Sequence, residues 1–168
     1  GDCSRDQAHY LGVQPVGTNT VFCFEKPFSS ELLQILNQLN LLGHNTRFDI
    51  HAMNLQPEKP WADTMVLQYR NNTAGRKSLD VLAKRFDWEK IPTPKELKGP
   101  KGKQNQISTV PRDQVALYMA DDILFTSWLW EKVYTKPQKD AAVRAGDLAV
   151  ERTVQRMEAR GVRLLLEP

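Results

Sequence analysis

Residues 41–49 read Leu41-Leu42-Gly43-His44-Asn45-Thr46-Arg47-Phe48-Asp49, an apolar run that becomes polar towards its end. A short apolar run of this kind, bounded by Gly and Asn, is typical of a buried strand. The residues from Thr46 to Leu55 suit a helix that stops before the proline at position 57. The sequence therefore predicts a strand followed at once by a helix, with Asp49 near the start of that helix.

The preceding segments also alternate between strand and helix patterns. Tyr10 to Val13 and Thr20 to Phe24 are β-prone and are separated by turn residues, which predicts two antiparallel strands. Glu31 to Leu39 is amphipathic and follows two candidate N-caps, Ser29 and Ser30. Strands interleaved with helices predict an α/β layer architecture.

A second acid lies inside an otherwise apolar helix, which is predicted to start at Pro111 and to run to about Tyr134. Three- and four-residue spacing places Asp122 on the stripe that faces the core, and Asp121 is expected on the outside. A buried carboxylate needs a compensating charge, and a divalent metal is the most economical one. The stripe consists of Val115, Tyr118, Asp122, Phe125 and Leu129.

The remaining elements are helices and one loop. Asp63 and Ser78 are expected to be N-caps of two further helices, and a last amphipathic helix ends at Gly161. Between residues 92 and 109 the sequence is rich in Pro, Gly and Lys, which predicts an exposed loop. The inward side of the helix that carries Asp49 is predicted to consist of Phe48, Ala52 and Leu55.

Composition sets broad bounds on the chain. A length of 168 residues with 40% hydrophobic content is enough for one domain with a real core. The formal charge of +3 is too small to indicate nucleic acid by itself. The sequence shows no secretion signal and no run of membrane-spanning length, so we expect an intracellular protein in which Cys3 and Cys23 are free thiols. A bridge between these cysteines is the alternative for a secreted protein.

Both acid-containing segments occur together in a known family. Asn45-Thr46-Arg47-Phe48-Asp49 resembles the second acid motif of the 3′-5′ proofreading exonuclease domain of family A DNA polymerases, and Tyr118-x-x-x-Asp122 resembles the third. The segments around Asp63 and Ser78 are similar to the helices between these motifs. The Lys/Gly loop is similar to that of phage-like members. Residues 156–162 resemble the beginning of the polymerase thumb.

This resemblance implies a fold and a domain division. The family belongs to the DEDD group and has a ribonuclease-H-like α/β fold, in which helices flank a mixed sheet. Residues 1–137 would form the exonuclease-like domain, incomplete at its N-terminus, and residues 138–168 the start of a thumb-like region.

The resemblance also implies a chemistry. Asp49 and Asp122 would bind two divalent ions, Mg or Mn, which activate water and neutralise phosphate charge. The Tyr118 hydroxyl, one helical turn from Asp122, would orient the attacking water. Asn45 would contact substrate or hold the turn that aims Asp49. In the loop, Lys101 and Lys103 would contact phosphate.

The implied partners follow from the same resemblance. They are the 3′ end of single-stranded DNA and the polymerase domain of the same chain, in the cytoplasm of a bacterial or phage-infected cell, with no membrane. A ribonuclease-D-like RNA exonuclease shares the fold and the metals and is an alternative, against which the thumb-like tail argues.

The sequence departs from the family at the first acid motif, Asp-x-Glu, for which no match stands on a first strand. Asp87-Trp88-Glu89 has the right letters but follows a helix and precedes a proline, so we interpret it as a solvated loop. In the family the first strand is central in the sheet, and its removal would leave N–H and C=O groups of both neighbouring strands without hydrogen-bond partners. We therefore expect this chain alone to be unstable and weakly active.

Several plainer interpretations stay open at this point. Thr46-x-x-Asp49 resembles a helix-capping arrangement. Tyr118 suits a core position, and the lysine-rich loop suits a simple solvated loop. The whole chain could also be a non-catalytic remnant that holds DNA or spaces the polymerase domain.

Overall fold

The computed structural model describes residues 8–71, 74–92, 110–134 and 141–160. The predicted antiparallel pair is present: strand β1 (Tyr10–Val13) pairs with strand β2 (Phe22–Glu25), so that Tyr10 lies opposite Glu25. Gly17, in the connection, has a φ of 80°, a left-handed backbone that glycine adopts without steric penalty. Cys23 on β2 is an exposed free thiol.

Helix α1 (Ser30–Gln38) follows, and of the two candidate caps Ser29 is the one used, since its hydroxyl accepts a bond of 3.2 Å from the Leu32 amide. The two segments on either side of residue 45 form strand β3 (Leu42–Gly43) and helix α2 (Thr46–Ala52). The predicted order of strand, helix, strand and helix is confirmed.

The rest of the described chain is mostly helical. Strand β4 pairs with β3 in parallel, so both strands end at the same edge of their sheet. The helix that ends at Leu129 continues as a single π-helical turn, Trp130–Tyr134. These elements are β4 (Ala62–Asp63), α3 (Thr64–Asn71), α4 (Leu79–Arg85), α5 (Arg112–Leu129) and α6 (Ala141–Arg160). The fold is mixed α/β, as expected.

The strands are divided between two small sheets, β1-β2 and β3-β4, and within the described residues no backbone pairing joins them. Helix α5 contacts both β1 and β3 and so bridges the two sheets. The approach to β1 is close because Gly12 has no side chain: a Cβ there would lie 2.3 Å from Cδ1 of Ile123. The two pairs are therefore held side by side by a shared helix.

Two apolar clusters form the core. The larger joins α3, α4, α5 and α6 and centres on Phe125, which is fully buried and whose ring centroid lies 5.1 Å from that of Trp88. The smaller cluster joins α1, α2, β1 and the segment before β4. Its buried members are Leu36, Ile50, Leu55 and Trp61.

The predicted inward side of α2 is wrong in one respect. Phe48 is 50% exposed, whereas Ile50 is 1% exposed and lies in the smaller cluster. The phase of the helix is fixed by Thr46, which is buried and whose hydroxyl donates to the Ala62 carbonyl at 2.8 Å. Ile50, four residues later, shares that inward side, and Phe48 is turned away from it.

The Asp63 side chain joins β4 to the start of α2. It is 1% exposed, and its two oxygens accept bonds of 2.9 and 2.8 Å from the Asn45 and Thr46 amides and one of 2.8 Å from the Met65 amide. The expected N-cap of α3 is therefore confirmed, and the same carboxylate also satisfies the first amides of α2.

Replacing Asp63 with Asn is expected to lower the free energy of unfolding by about 2–3 kcal/mol, because the amide NH₂ cannot accept a bond and one backbone N–H loses its partner. Urea unfolding measures the loss. Asp87→Asn is the matched control, because Asp87 is exposed and has a φ of 51°, a conformation that Asn tolerates. This substitution should change the free energy of unfolding by less than about 0.5 kcal/mol. Equal effects of the two substitutions would contradict the capping role.

Candidate active site

The site begins where β3 turns into α2. Asn45 is the N-cap of α2 and has a left-handed backbone with a φ of 70° and a ψ of 41°, and its side chain makes no capping hydrogen bond. Asn is one of the few residues that adopt this conformation readily, which lets α2 begin directly after the strand. Asn45 therefore forms the turn between β3 and α2, the helix that carries Asp49.

The capping arrangement suggested by Thr46-x-x-Asp49 does not form. The Thr46 hydroxyl donates to the Ala62 carbonyl, and the first amides of α2 are bound by Asp63 instead. The carboxyl of Asp49, in the first turn of α2, is therefore not needed as a cap.

Asp49 lies beside the end of β3. Its Oδ2 is 3.6 Å from the position that a Cβ on Gly43 would take. The residue keeps an accessible face, but the protein around its carboxyl removes much of the water, and the negative charge of Asp63 adds to this effect. Together they raise the pKa of Asp49 from 3.8 to about 7. A nearby cation would favour the ionised form.

His44 lies between the strand ends and is bound on both sides of its ring. Its Nε2 donates to the Lys77 carbonyl at 2.7 Å, and its Nδ1 is hydrogen-bonded to the Thr64 hydroxyl at 2.9 Å. Burial lowers the pKa of His44, opposed by the Lys77 carbonyl and by the charges of Asp63 and Asp122. Both ring nitrogens are thus occupied by protein groups.

Asp122 on α5 has a counter-charge from the same chain. Its Oδ1 is 2.8 Å from the Nζ of Lys90, which is also 2.9 Å from Oδ1 of Asp80. The Lys90 ammonium lies 4.5 Å from the centre of the Tyr118 ring, and the Tyr118 hydroxyl is hydrogen-bonded to Asp122. The compensating charge that the sequence demanded for Asp122 is therefore a lysine ammonium in this structure.

The pKa values of this group reflect competing effects. Burial raises the pKa of Asp122, and the bonds from Lys90 and Tyr118 oppose it without cancelling it. Burial would lower the pKa of Lys90, but its ion pairs with Asp122 and Asp80 outweigh burial and raise that pKa above its usual range. The ammonium is therefore charged at any physiological pH.

The expectation that Asp121 points outward is wrong. The residue is half-buried, and its carboxylate accepts bonds from the Trp88 indole Nε1 at 3.1 Å and from the Ile91 amide at 2.8 Å. The segment after α4 returns across α5 and brings these donors to it. Both adjacent aspartates therefore have partners, and only Asp122 faces the site.

The structure brings parts of the two acid motifs together but does not pair their aspartates. The charges of both Asp63 and Asp122 act on the pKa of His44. Burial and then the charge of Asp63 raise the pKa of Asp49, whereas the pKa of Asp122 is set by burial and by its contacts with Lys90 and Tyr118. Within residues 8–71, 74–92, 110–134 and 141–160, no group of three or more His, Cys, Asp or Glu side chains could hold a metal ion. Lys101 and Lys103 lie outside the described residues.

Sequence reasoning missed the roles of Lys90 and His44. Lys90 stands in a short polar segment before a proline, and nothing in its spacing links it to a residue 32 positions later. His44 was visible as a polar residue at the end of an apolar run, which is a signal for a site at a strand end. Asp63 was recognised as a cap but not as a neighbour of Asp49.

Comparison of the chain with protein-family models, curated proteins and solved structures gave no match. None of the described helices is long and apolar enough to cross a membrane. The functional assignment therefore depends on the geometry of the site.

Replacing Asp49 with Asn is expected to change the pH dependence of stability. Because folding raises the pKa of this acid, the unfolded chain loses its proton near pH 4 and the folded chain only near pH 7. Without added metal, the native chain therefore loses stability between these values, and the variant avoids that loss. Because Asp49 keeps solvent contact, the variant should gain about 1–2 kcal/mol in free energy of unfolding at pH 8, which is well below the value that the full pKa shift would give.

Urea unfolding at pH 4 and pH 8 measures this difference, which should be near zero at the lower pH. A gain of the same size at both pH values would contradict the raised pKa.

Replacing Lys90 with Met is expected to lower the free energy of unfolding by about 2–4 kcal/mol, because it leaves a buried carboxylate without its counter-charge. Adding Asp122→Asn to the same chain should recover more than half of the loss. A double-mutant cycle by urea unfolding measures the coupling. Additive effects of the two substitutions would show that the ion pair contributes nothing.

Proposed function

We propose that this chain is the 3′-5′ exonuclease domain of a family A DNA polymerase, which removes nucleotides from single-stranded 3′ ends with the help of divalent metal ions. One observation carries the proposal. Chemistry-bearing side chains from segments about seventy residues apart lie near the carboxyl ends of two parallel strands, where Asp49 lies beside Gly43 and the charge of Asp122 acts on His44. Asp49 comes from one segment, and Tyr118 and Asp122 come from the other.

The chemistry of Asp49 fits a divalent cation. Carboxylate oxygens are the ligands that Mg and Mn prefer, and the pKa of about 7 reflects a charge that the surrounding protein disfavours. A bound cation would supply the missing opposite charge. Such an ion, when bound, neutralises phosphate charge and lowers the pKa of water.

Asp122 fits a cation only if the Lys90 ammonium moves aside. The two carboxylates alone do not complete a metal site among the described residues, so further oxygen ligands are required. The family's first acid motif would supply them. The Tyr118 hydroxyl is hydrogen-bonded to the Asp122 carboxylate, which supports a role for this phenol in orienting a water molecule near that acid.

The division of the strands also supports the proposal. In a ribonuclease-H-like sheet, the strand that bears the first acid motif lies between the counterparts of β1 and β3. Here β1 and β3 are unpaired with each other in the described residues, and α5 contacts both. A strand placed between them would give the order expected of such a sheet.

A second function is favoured by the Lys90–Asp122 ion pair. An ammonium that permanently neutralises the third-motif acid would make the domain a non-catalytic nucleic-acid-binding or spacer module of a polymerase. The two functions differ in whether a metal ion competes with Lys90, which can be measured directly.

Titration of the chain with Mn²⁺ distinguishes the two functions. The electron paramagnetic resonance signal of the free ion measures how much Mn²⁺ is bound. We expect Asp49→Asn to weaken binding at least tenfold and Lys90→Met to strengthen it, because the ammonium and the metal compete for Asp122. Below pH 7 the affinity should fall about tenfold per pH unit, since the metal must displace the proton of Asp49.

Asp113→Asn, a change of an exposed acid on α5, is the matched control and should leave binding unchanged. The metal that binds should also support release of nucleotides from a 3′-labelled single strand, weakly in this chain alone and not in the presence of EDTA. Mn²⁺ binding that is equal in the Asp49→Asn and Asp113→Asn variants would remove the metal site and leave the non-catalytic function.

A further inference from the structure

A pocket lies at the other end of the β3-β4 pair. The pocket has a volume of about 280 Å³ and is formed by residues 56–61, which lead into β4, and by one face of α6. The α6 residues are Arg152, Gln155 and Arg156, at the three- and four-residue spacing that places side chains on one face. Because the carboxylates gather at the opposite ends of these strands, the pocket is separate from the candidate active site.

The charge of this pocket is positive. Lys59, Arg152 and Arg156 line it, and Glu58 is the acidic residue in its wall. Its volume is slightly below the roughly 300–1,000 Å³ of pockets that hold drug-sized ligands. The pocket therefore suits a compact anion.

Arg152 is held in place before any ligand binds. Its Nε and Nη2 donate to the Trp61 carbonyl at 2.9 and 2.5 Å, and its guanidinium lies 6.0 Å from the centre of the Trp61 ring. These bonds use two of the three guanidinium nitrogens and leave Nη1 available. A fixed planar guanidinium is suited to the oxygens of phosphate.

Gln155 points to a ligand independently of the charges. It lines the pocket and is only 8% exposed, yet within the described part of the chain no protein group is hydrogen-bonded to its amide. The Gln155 amide is therefore free to form hydrogen bonds with water or with a ligand in the pocket. An amide contains an N–H donor, which an anion accepts from.

The opposite wall of the pocket is also fixed. The Gln56 amide donates to Oδ1 of Asn37 at 2.7 Å, and the Glu58 amide donates to the Asn37 carbonyl at 2.8 Å. Pro57 and Pro60 further restrict this segment. A preformed wall reduces the entropy that a ligand must overcome on binding.

We infer that this pocket binds a phosphate group through Arg152, Gln155 and Arg156. The inference goes beyond the proposed function and does not require that the chain cut nucleic acid. The phosphate has two possible sources, the backbone of a nucleic-acid strand or free inorganic phosphate, and both present the same oxygens to the pocket.

Isothermal titration of the chain with inorganic phosphate, in low salt with EDTA, tests the inference. Arg156→Gln and Gln155→Leu should each weaken binding at least about threefold, the first by removing a charge and the second without changing the net charge. Lys84→Gln, an exposed residue on α4, removes the same charge as Arg156→Gln and should leave binding unchanged. Circular dichroism checks that each variant is folded. If Gln155→Leu unfolds, the result for Arg156→Gln, which alters an exposed side chain, decides the test.

The same titration with a single-stranded oligonucleotide separates the two sources. Tighter binding of the oligonucleotide than of free phosphate supports a backbone phosphate, provided that Arg156→Gln lowers the number of counterions released on binding by about one. Phosphate binding that depends on Arg156 while strand binding does not supports free phosphate. No phosphate binding, or binding that is equal in all variants, overturns the inference. Asp49→Asn should not alter phosphate affinity in EDTA, so failure of the metal site is distinguishable from failure of this pocket.

Discussion

The Asp63 carboxylate is the interaction on which the site depends. It is almost fully buried, and three backbone amides satisfy its charge. This arrangement fixes the start of α2 beside the end of β4 and so fixes Asp49, which lies in the first turn of α2. Burial raises the pKa of Asp49 and the charge of Asp63 adds to this rise, while burial lowers the pKa of His44 and the Lys77 carbonyl and the charge of Asp63 oppose that lowering. A structural cap thus also influences the protonation of its neighbours.

Two acids of the same chemical type have different environments because their neighbours differ. The protein around Asp49 buries its carboxyl and places the charge of Asp63 nearby, which together raise the pKa of Asp49 to about 7. The protein around Asp122 provides Lys90 and a phenol, and this carboxylate is compensated within the chain. A site that receives a metal needs charge that is not already satisfied. Asp49 meets this condition as it stands, and Asp122 meets it only after Lys90 is displaced.

Local patterns predicted most of the elements. The antiparallel pair, the Ser29 cap and the start of α2 all follow from residues within a few positions of one another, where turn chemistry and helix capping act directly. The contacts made at long range could not be read in the same way. Lys90 meets Asp122 only because the segment after α4 folds back over α5, and Trp88 and Ile91 reach Asp121 for the same reason. The predicted inward side failed at Phe48 because Thr46, which bonds to the Ala62 carbonyl, and the buried Ile50 face the core instead.

The short strand β4 connects the candidate active site with the positive pocket. Trp61, immediately before it, carries the carbonyl that holds Arg152, while Asp63 at its end holds the start of α2. Helix α6 is tied to α2 as well, since Arg47 and Glu151 form an ion pair of 3.1 Å. The carboxyl end of the β3-β4 pair carries Asp63 and lies beside Asp49, and its amino end leads to the positive pocket, so both regions depend on the placement of the same strand.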